Sequence, residues 1–152
     1  MKYDDYPLYD VQKFSSIKEM IDIAVREAGE KIAYKFKDNG NIRQVSFRDF
    51  AEAVYSLGAF LNSKAVSDKH IACIGENSYN WIITYMTVLR SKGVFVPVDK
   101  DLPEDDIINI IRNSDAKVVF YSGKFENFFV SNKEVLSSSI FVAFIARYLA
   151  ES

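Results

Sequence analysis

The stretch His70 to Asp99, HIACIGENSYNWIITYMTVLRSKGVFVPVD, constrains the fold more than any other. Ile71 to Gly75 is an apolar run without polar alternation, the pattern of a strand covered on both faces, and Val94 to Val98 repeats it. Between the two, Trp81, Ile82, Tyr85, Met86 and Leu89 fall at helical spacing, and Ile83 and Val88 widen the stripe, which predicts a helix buried on most sides. Asn77 or Ser78 is positioned to cap its first amides, and Gly93 to stop it in the left-handed conformation. The reading is a βαβ unit, with parallel strands and a right-handed crossover.

The flanking sequence extends this core. Ser16 and Glu19 form a capping-box pattern for a helix lined by Ile17, Met20, Ile21, Ala24 and Ala28 and ended by Gly29. Lys31 to Phe36 and Ile42 to Val45 flank Asn39-Gly40, which predicts an antiparallel hairpin at the margin of the sheet. Ser46 and Asp49 open a second amphipathic helix carrying Phe47, Phe50, Val54, Leu57 and Leu61, which packs on the sheet. Pro103 and the acids Glu104, Asp105 and Asp106 mark the start of a further helix, and Lys117 to Tyr121 reads as a third parallel strand. Met1 to Phe14 is expected to lie extended against the surface. Residues 123 to 133 show no clear periodicity, and a helix is expected within Glu134 to Ala150, its apolar face covering the domain or a second copy. The expected architecture is a single α/β domain over residues 1–152, three layers with a mostly parallel central sheet, helices packed on it and a peripheral hairpin.

Bulk properties narrow the function. A chain of 152 residues buries a sizeable core. With 19 Lys plus Arg against 21 Asp plus Glu, the net charge of −2 gives no basic field, so nucleic acid is not an expected partner. The apolar run from Ile140 to Ala146 falls short of a transmembrane span, which needs roughly 18 or more residues. One cysteine makes no internal disulfide, and the first residues lack a signal-peptide core, which points to the cytoplasm.

Few residues offer chemistry. His70, the sole histidine, precedes the central strand, away from the end where such sheets bind ligands. Cys73 sits within a strand and reads as a small buried hydrophobe. Ser122-Gly123-Lys124 follows a strand but lacks the long glycine-rich loop of a phosphate cradle, and reads as a turn. The acids from Asp99 to Asp106 read as helix-dipole and cap partners, not a metal site. The substrate-binding candidates are Glu76, Asn77 and Ser78, in the loop at the carboxyl end of the central strand, opening a helix whose amides could receive an anion. No catalytic residue and no metal ligand is assigned.

Asn77-Ser78, Trp81, Tyr85, Gly93, Val96-Pro97 and Asp99 together resemble the N-terminal part of the adenylate-forming (AMP-binding) acyl-CoA synthetases, particularly the long-chain fatty acid CoA ligases. The likeness runs over residues 15–122; residues 123–152 form a divergent tail. The resemblance implies the N-terminal subdomain of that fold and, for the full-length family, ATP, Mg2+ and CoA: an acid and ATP form an acyl-adenylate, which the CoA thiol attacks. The family's triphosphate-gripping loop and lysine, its ribose- and magnesium-holding acids and its C-terminal lysine have no counterpart in this chain. No cofactor is therefore expected to bind it, and the matched positions are scaffold. Two readings stand: the N-terminal portion of such a ligase, inactive alone, or a non-catalytic α/β binding or assembly module, with a homodimer through the apolar tail.

Overall fold

A computed structural model describes residues 11–38 and 40–144. At its centre is a four-stranded, wholly parallel sheet in the order β4-β3-β5-β6, made of β3 (His70–Ile74), β4 (Val94–Val98), β5 (Val118–Tyr121) and β6 (Ile140–Ala143). β3 hydrogen-bonds on both edges, Ala72 registering with Val96 on one side and Val119 on the other.

Helices cover both faces. Side chains alternate across a strand, so Ile71 and Cys73 face one layer while Ala72 and Ile74 face the other. The connection β3 to β4 runs through α3 (Tyr79–Arg90), and β4 to β5 runs back across β3 through α4 (Glu104–Asn113). Because the two crossovers travel in opposite directions, right-handedness puts their helices on opposite faces. Accordingly Val88 of α3 joins the cluster with Ile71, Cys73, Val118 and Phe120, and Ile107 and Ile111 of α4 join the one with Ala72, Ile74, Val98 and Val119. The three-layer expectation holds.

On the α3 face, α2 (Phe47–Ser63) packs beside α3 on the sheet, as expected, its Leu61 joining Ile71, Cys73 and Val118, while α1 (Ile17–Ala28) and the hairpin β1 (Ile32–Asp38) and β2 (Asn41–Ser46) lie outside. The hairpin is antiparallel and peripheral, as expected, and forms a two-stranded sheet of its own. Gly40, at φ +84, supplies the left-handed turn residue. Tyr34, Phe36, Phe50 and Tyr79 form a contiguous aromatic cluster that fastens the hairpin to α2 and α3, with Phe36 stacked on Tyr79 at 5.0 Å. Arg90 lies over the Tyr55 ring at 4.3 Å, and Tyr55 donates to Asp22 at 2.5 Å, so α3, α2 and α1 are tied in sequence.

The caps follow the sequence in part. Ser46 and Asp49 form the complete capping box. Ser16 accepts from the Glu19 amide, but the Glu19 carboxylate turns to the Ser15 amide and hydroxyl instead. Gly93 is not the left-handed stop of α3. The helix is capped at Ser91, and a Cβ at Gly93 would lie 3.0 Å from the Lys69 and Ser67 carbonyls, so this glycine serves close backbone approach.

The tail differs most. Instead of a helix starting at Glu134, the chain makes a 3-10 turn (Gly123–Phe125) and α5 (Glu126–Ser131), passes through turns, and enters β6 as a fourth parallel strand. The run Ile140-Phe141-Val142 is apolar on every side and rich in β-prone residues, which suits a strand packed between two layers better than a helix. Ser137 to Ser139 cap no helix; Ser139 Oγ donates to the Ala116 carbonyl at 2.6 Å and sets the strand entry. The rest of that expected helix, and the extended segment up to residue 10, fall outside the described residues; residues 11–14 are exposed. Among the described residues, no helix is long and apolar enough to cross a membrane.

Ile71 is fully buried and Ile42 is 70% exposed. Chemical denaturation should find Ile71→Ala destabilising by about 2–5 kcal/mol and Ile42→Ala changing stability by less than about 0.5 kcal/mol.

Candidate functional site

In an open parallel sheet, ligands settle outside the carboxyl ends of the strands where the direction of winding reverses. Here the reversal falls between β3 and β5, the two strands left by connections that diverge to opposite faces. The residues at this switch point are Gly75 and Glu76 after β3, and Ser122 and Lys124 after β5.

Backbone geometry at the switch is tight. Gly75 adopts φ +152, and a Cβ there would stand 2.9 Å from Ser122 Cβ. The two strand ends therefore close on each other only because residue 75 has no side chain. Ser122 donates its amide to the Ile74 carbonyl at 3.1 Å, so the ladder continues to the mouth of the crevice. Its Oγ is buried and meets no partner at hydrogen-bonding geometry.

Glu76 and Lys124 span the opening. The Lys124 ammonium lies 2.7 Å from the Glu76 carboxylate, with the lysine side chain 77% exposed and the glutamate 38% exposed. That contact first, then the glutamate's own backbone amide and, less strongly, nearby Ser122, outweigh a small burial penalty and hold the Glu76 carboxyl down to about 2. A pair this exposed contributes about 1 kcal/mol or less to stability. Its sign is that of a depressed acid: the contribution is complete above the ordinary value of 4.5 and disappears as pH falls toward about 2.

Of the residues singled out in the sequence, only Glu76 faces the crevice partner. Ser78 caps α3, its Oγ accepting from the Trp81 amide at 3.2 Å, and exposed Asn77 leaves that cap to it. Trp81 stacks on Tyr85 at 5.5 Å and meets Phe95 edge-on at 5.3 Å, in a half-buried aromatic group of the scaffold. His70 lies at the other end of β3, its Nδ1 2.5 Å from the Ser114 carbonyl. Cys73 is buried in β3, where burial pushes its thiol far up and keeps it un-ionised. The turn expected at Ser122-Gly123-Lys124 is present, and the strand order brings Ser122 and Lys124 to the mouth.

These residues do not fit a triphosphate or a magnesium ion. Gly123 to Phe125 winds into a 3-10 turn instead of a cradle, and the Lys124 charge is engaged by Glu76. The acids of the Asp99 segment are occupied locally: Asp99 accepts from the Asp101 amide at 2.9 Å, and Asp101 pairs with Lys100 at 2.7 Å. Among the described residues, no three His, Cys, Asp or Glu side chains converge as a metal site would require.

Comparison with known proteins identifies the framework. The profile of the AMP-binding enzymes matches residues 21–143, from α1 through β6. The chain belongs to the AMP-binding enzyme family. Tyrocidine synthase 2 of Brevibacillus parabrevis is 31% identical over 103 residues, covering 64% of this chain and 3% of that protein. Bacitracin synthase 1 of Bacillus licheniformis is 31% identical over 123 residues, covering 76% of this chain and 2% of that protein. An anthranilate CoA ligase solved with anthranoyl-AMP superposes with a TM-score of 0.77 at 20% identity, over 99% of this chain and 28% of the ligase. A long-chain-fatty-acid-CoA ligase from Archaeoglobus fulgidus gives 0.75 at 18% identity, over 95% and 31% respectively. The fold is that of the N-terminal subdomain of AMP-binding enzymes, and the family match continues past residue 122 through α5 and β6.

Two outcomes follow at the switch point. Carboxyl-resolved NMR should place the Glu76 midpoint near 2, and Lys124→Ala should move it up toward 4.5. Gly75→Ala should destabilise by about 1–3 kcal/mol, whereas Gly123→Ala, where a Cβ meets nothing within 4 Å, should be nearly neutral in thermal unfolding.

Proposed function

We propose that this chain supplies the N-terminal lobe of an acid-activating ligase and is not a catalyst by itself. In such a ligase a substrate carboxylate oxygen attacks the α-phosphorus of ATP, forming acyl-adenylate and releasing pyrophosphate. The CoA thiol then attacks the acyl carbon, forming the thioester and releasing AMP. The observation that carries the reading is the family match from α1 to β6. It covers framework, and at the switch point Lys124 is paired with Glu76.

Long-chain fatty acids are the substrate class we favour, on the motif resemblance around Asn77 to Asp99 and the fold likeness to a long-chain-fatty-acid-CoA ligase. Relatives that include peptide-antibiotic synthases make an amino acid carboxylate the competing substrate. A cytoplasmic setting fits the single reduced cysteine at position 73.

Barrier reduction in an ordinary enzyme is on the order of 8 kcal/mol or more, and adenylation draws it from positioned charge around the phosphates. Purified protein incubated with ATP, Mg2+, CoA and fatty acids of several lengths, or with amino acids, should release no pyrophosphate above a protein-free control. Release that disappears on Lys124→Ala would instead identify a compact catalyst built on that lysine.

A further inference from the structure

Going beyond the role just proposed, we infer that α1 and the hairpin open away from the domain as one cooperative unit, coupled through the turn at residues 29–31, while the central sheet stays closed. This outer layer meets the rest of the domain through α2 and α3. Among the described residues, none from Ile17 to Ser46 belongs to either apolar cluster of the parallel sheet. Of the side chains in α1, β1 and β2, those of Ile21 and Val45 are buried and the rest are half-buried or exposed. In β3, by contrast, four consecutive residues have no accessible surface. Regions with few buried contacts open at a lower free energy than the core.

Neither half of the layer stands by itself. A helix of 12 residues is marginal in water, and so is an isolated two-stranded hairpin. Each half has its own anchor. α1 is tied to α2 where the Tyr55 hydroxyl donates to Asp22, and the hairpin is tied to α3 where Phe36 stacks on Tyr79. Anchors placed so far apart in the chain would let the two halves leave separately, unless something joins them.

The turn between them is that joint. The first amides of a helix have no partner within it. In α2 the Phe47 amide donates to the Lys31 carbonyl and the Arg48 amide to the Gly29 carbonyl, each at 3.0 Å. The Lys31 amide donates to the carbonyl of Ala28, the last residue of α1, at 2.8 Å. Arg48 adds an ion pair to Glu30 at 2.7 Å. The turn therefore caps the start of α2, and β2 runs directly into that start through Ser46, whose Oγ accepts from the Asp49 amide. Departure of α1 draws Gly29 off Arg48, and departure of the hairpin draws Lys31 off Phe47. Either one breaks the cap, and with it the footing of the other half, so the two leave together.

Native-state amide hydrogen exchange on the full chain tests this, with two variants that each weaken one anchor. In the unaltered protein the hydrogen-bonded amides of α1 and the hairpin, and those of Phe47 and Arg48, should share one opening level, faster than that of β3. Tyr55→Phe removes the bond to Asp22 and keeps the ring beneath Arg90, whereas Phe36→Leu removes the stack on Tyr79. Each should speed exchange in α1 and in the hairpin by the same factor, about three- to tenfold. The proposal is overturned if Tyr55→Phe speeds α1 without the hairpin and Phe36→Leu the hairpin without α1. It is equally overturned if neither variant changes exchange in either half, or if the outer layer exchanges only at the level of β3, since the domain then opens as a whole.

Discussion

The whole structure depends on β3 being buried on four sides. Its two edges are hydrogen-bonded to β4 and β5, and its two faces are packed by different helices, so Ile71 to Ile74 have no accessible surface. A backbone so enclosed satisfies its polar groups only through the ladder, which forbids polar side chains along it and demands parallel neighbours reached by long crossovers. Those crossovers have to leave in opposite directions, because each takes one edge of the strand. The split between the α3 and α4 layers, and the crevice beyond Ile74, are consequences of that single arrangement.

This explains what was legible in the sequence. β3, α3 and β4 carry their own periodicity and caps, and the structure places them within a residue of their sequence limits. The hairpin was equally local, written in an Asn-Gly pair and short β-prone runs. Strand order was not local: nothing in Lys117 to Tyr121 says whether it pairs with β3 or β4, and that choice alone brings Lys124 to Glu76. The candidate loop after β3 was therefore found from one side only. Asn77 and Ser78 looked like possible ligand groups for the same reason that Ser78 caps a helix, since both roles use a small polar side chain at a helix start.

The tail is ambiguous in sequence for another reason. An apolar run of seven residues has no polar positions from which to tell a period of two from one of 3.6, and helix and strand then differ only in composition and length. Ile140, Phe141 and Val142 favour a strand on composition. α5 was missed because its buried anchor is a single side chain, Phe129, set against Tyr121 at 4.6 Å and Phe141 at 5.1 Å, too sparse to show a helical repeat.

The position of Cys73 gives the molecule a built-in gauge of its own integrity. Its thiol sits in the most enclosed strand and stays protonated there. A water-soluble alkylating reagent reaches the sulfur only after β3 has lost helices on one face or a neighbour on one edge. Fraying of the hairpin leaves it untouched, because no hairpin residue packs in the cluster that holds that side chain. The rate of thiol modification in the native protein therefore reports opening of the central layer alone, in a chain where no second cysteine competes for the label.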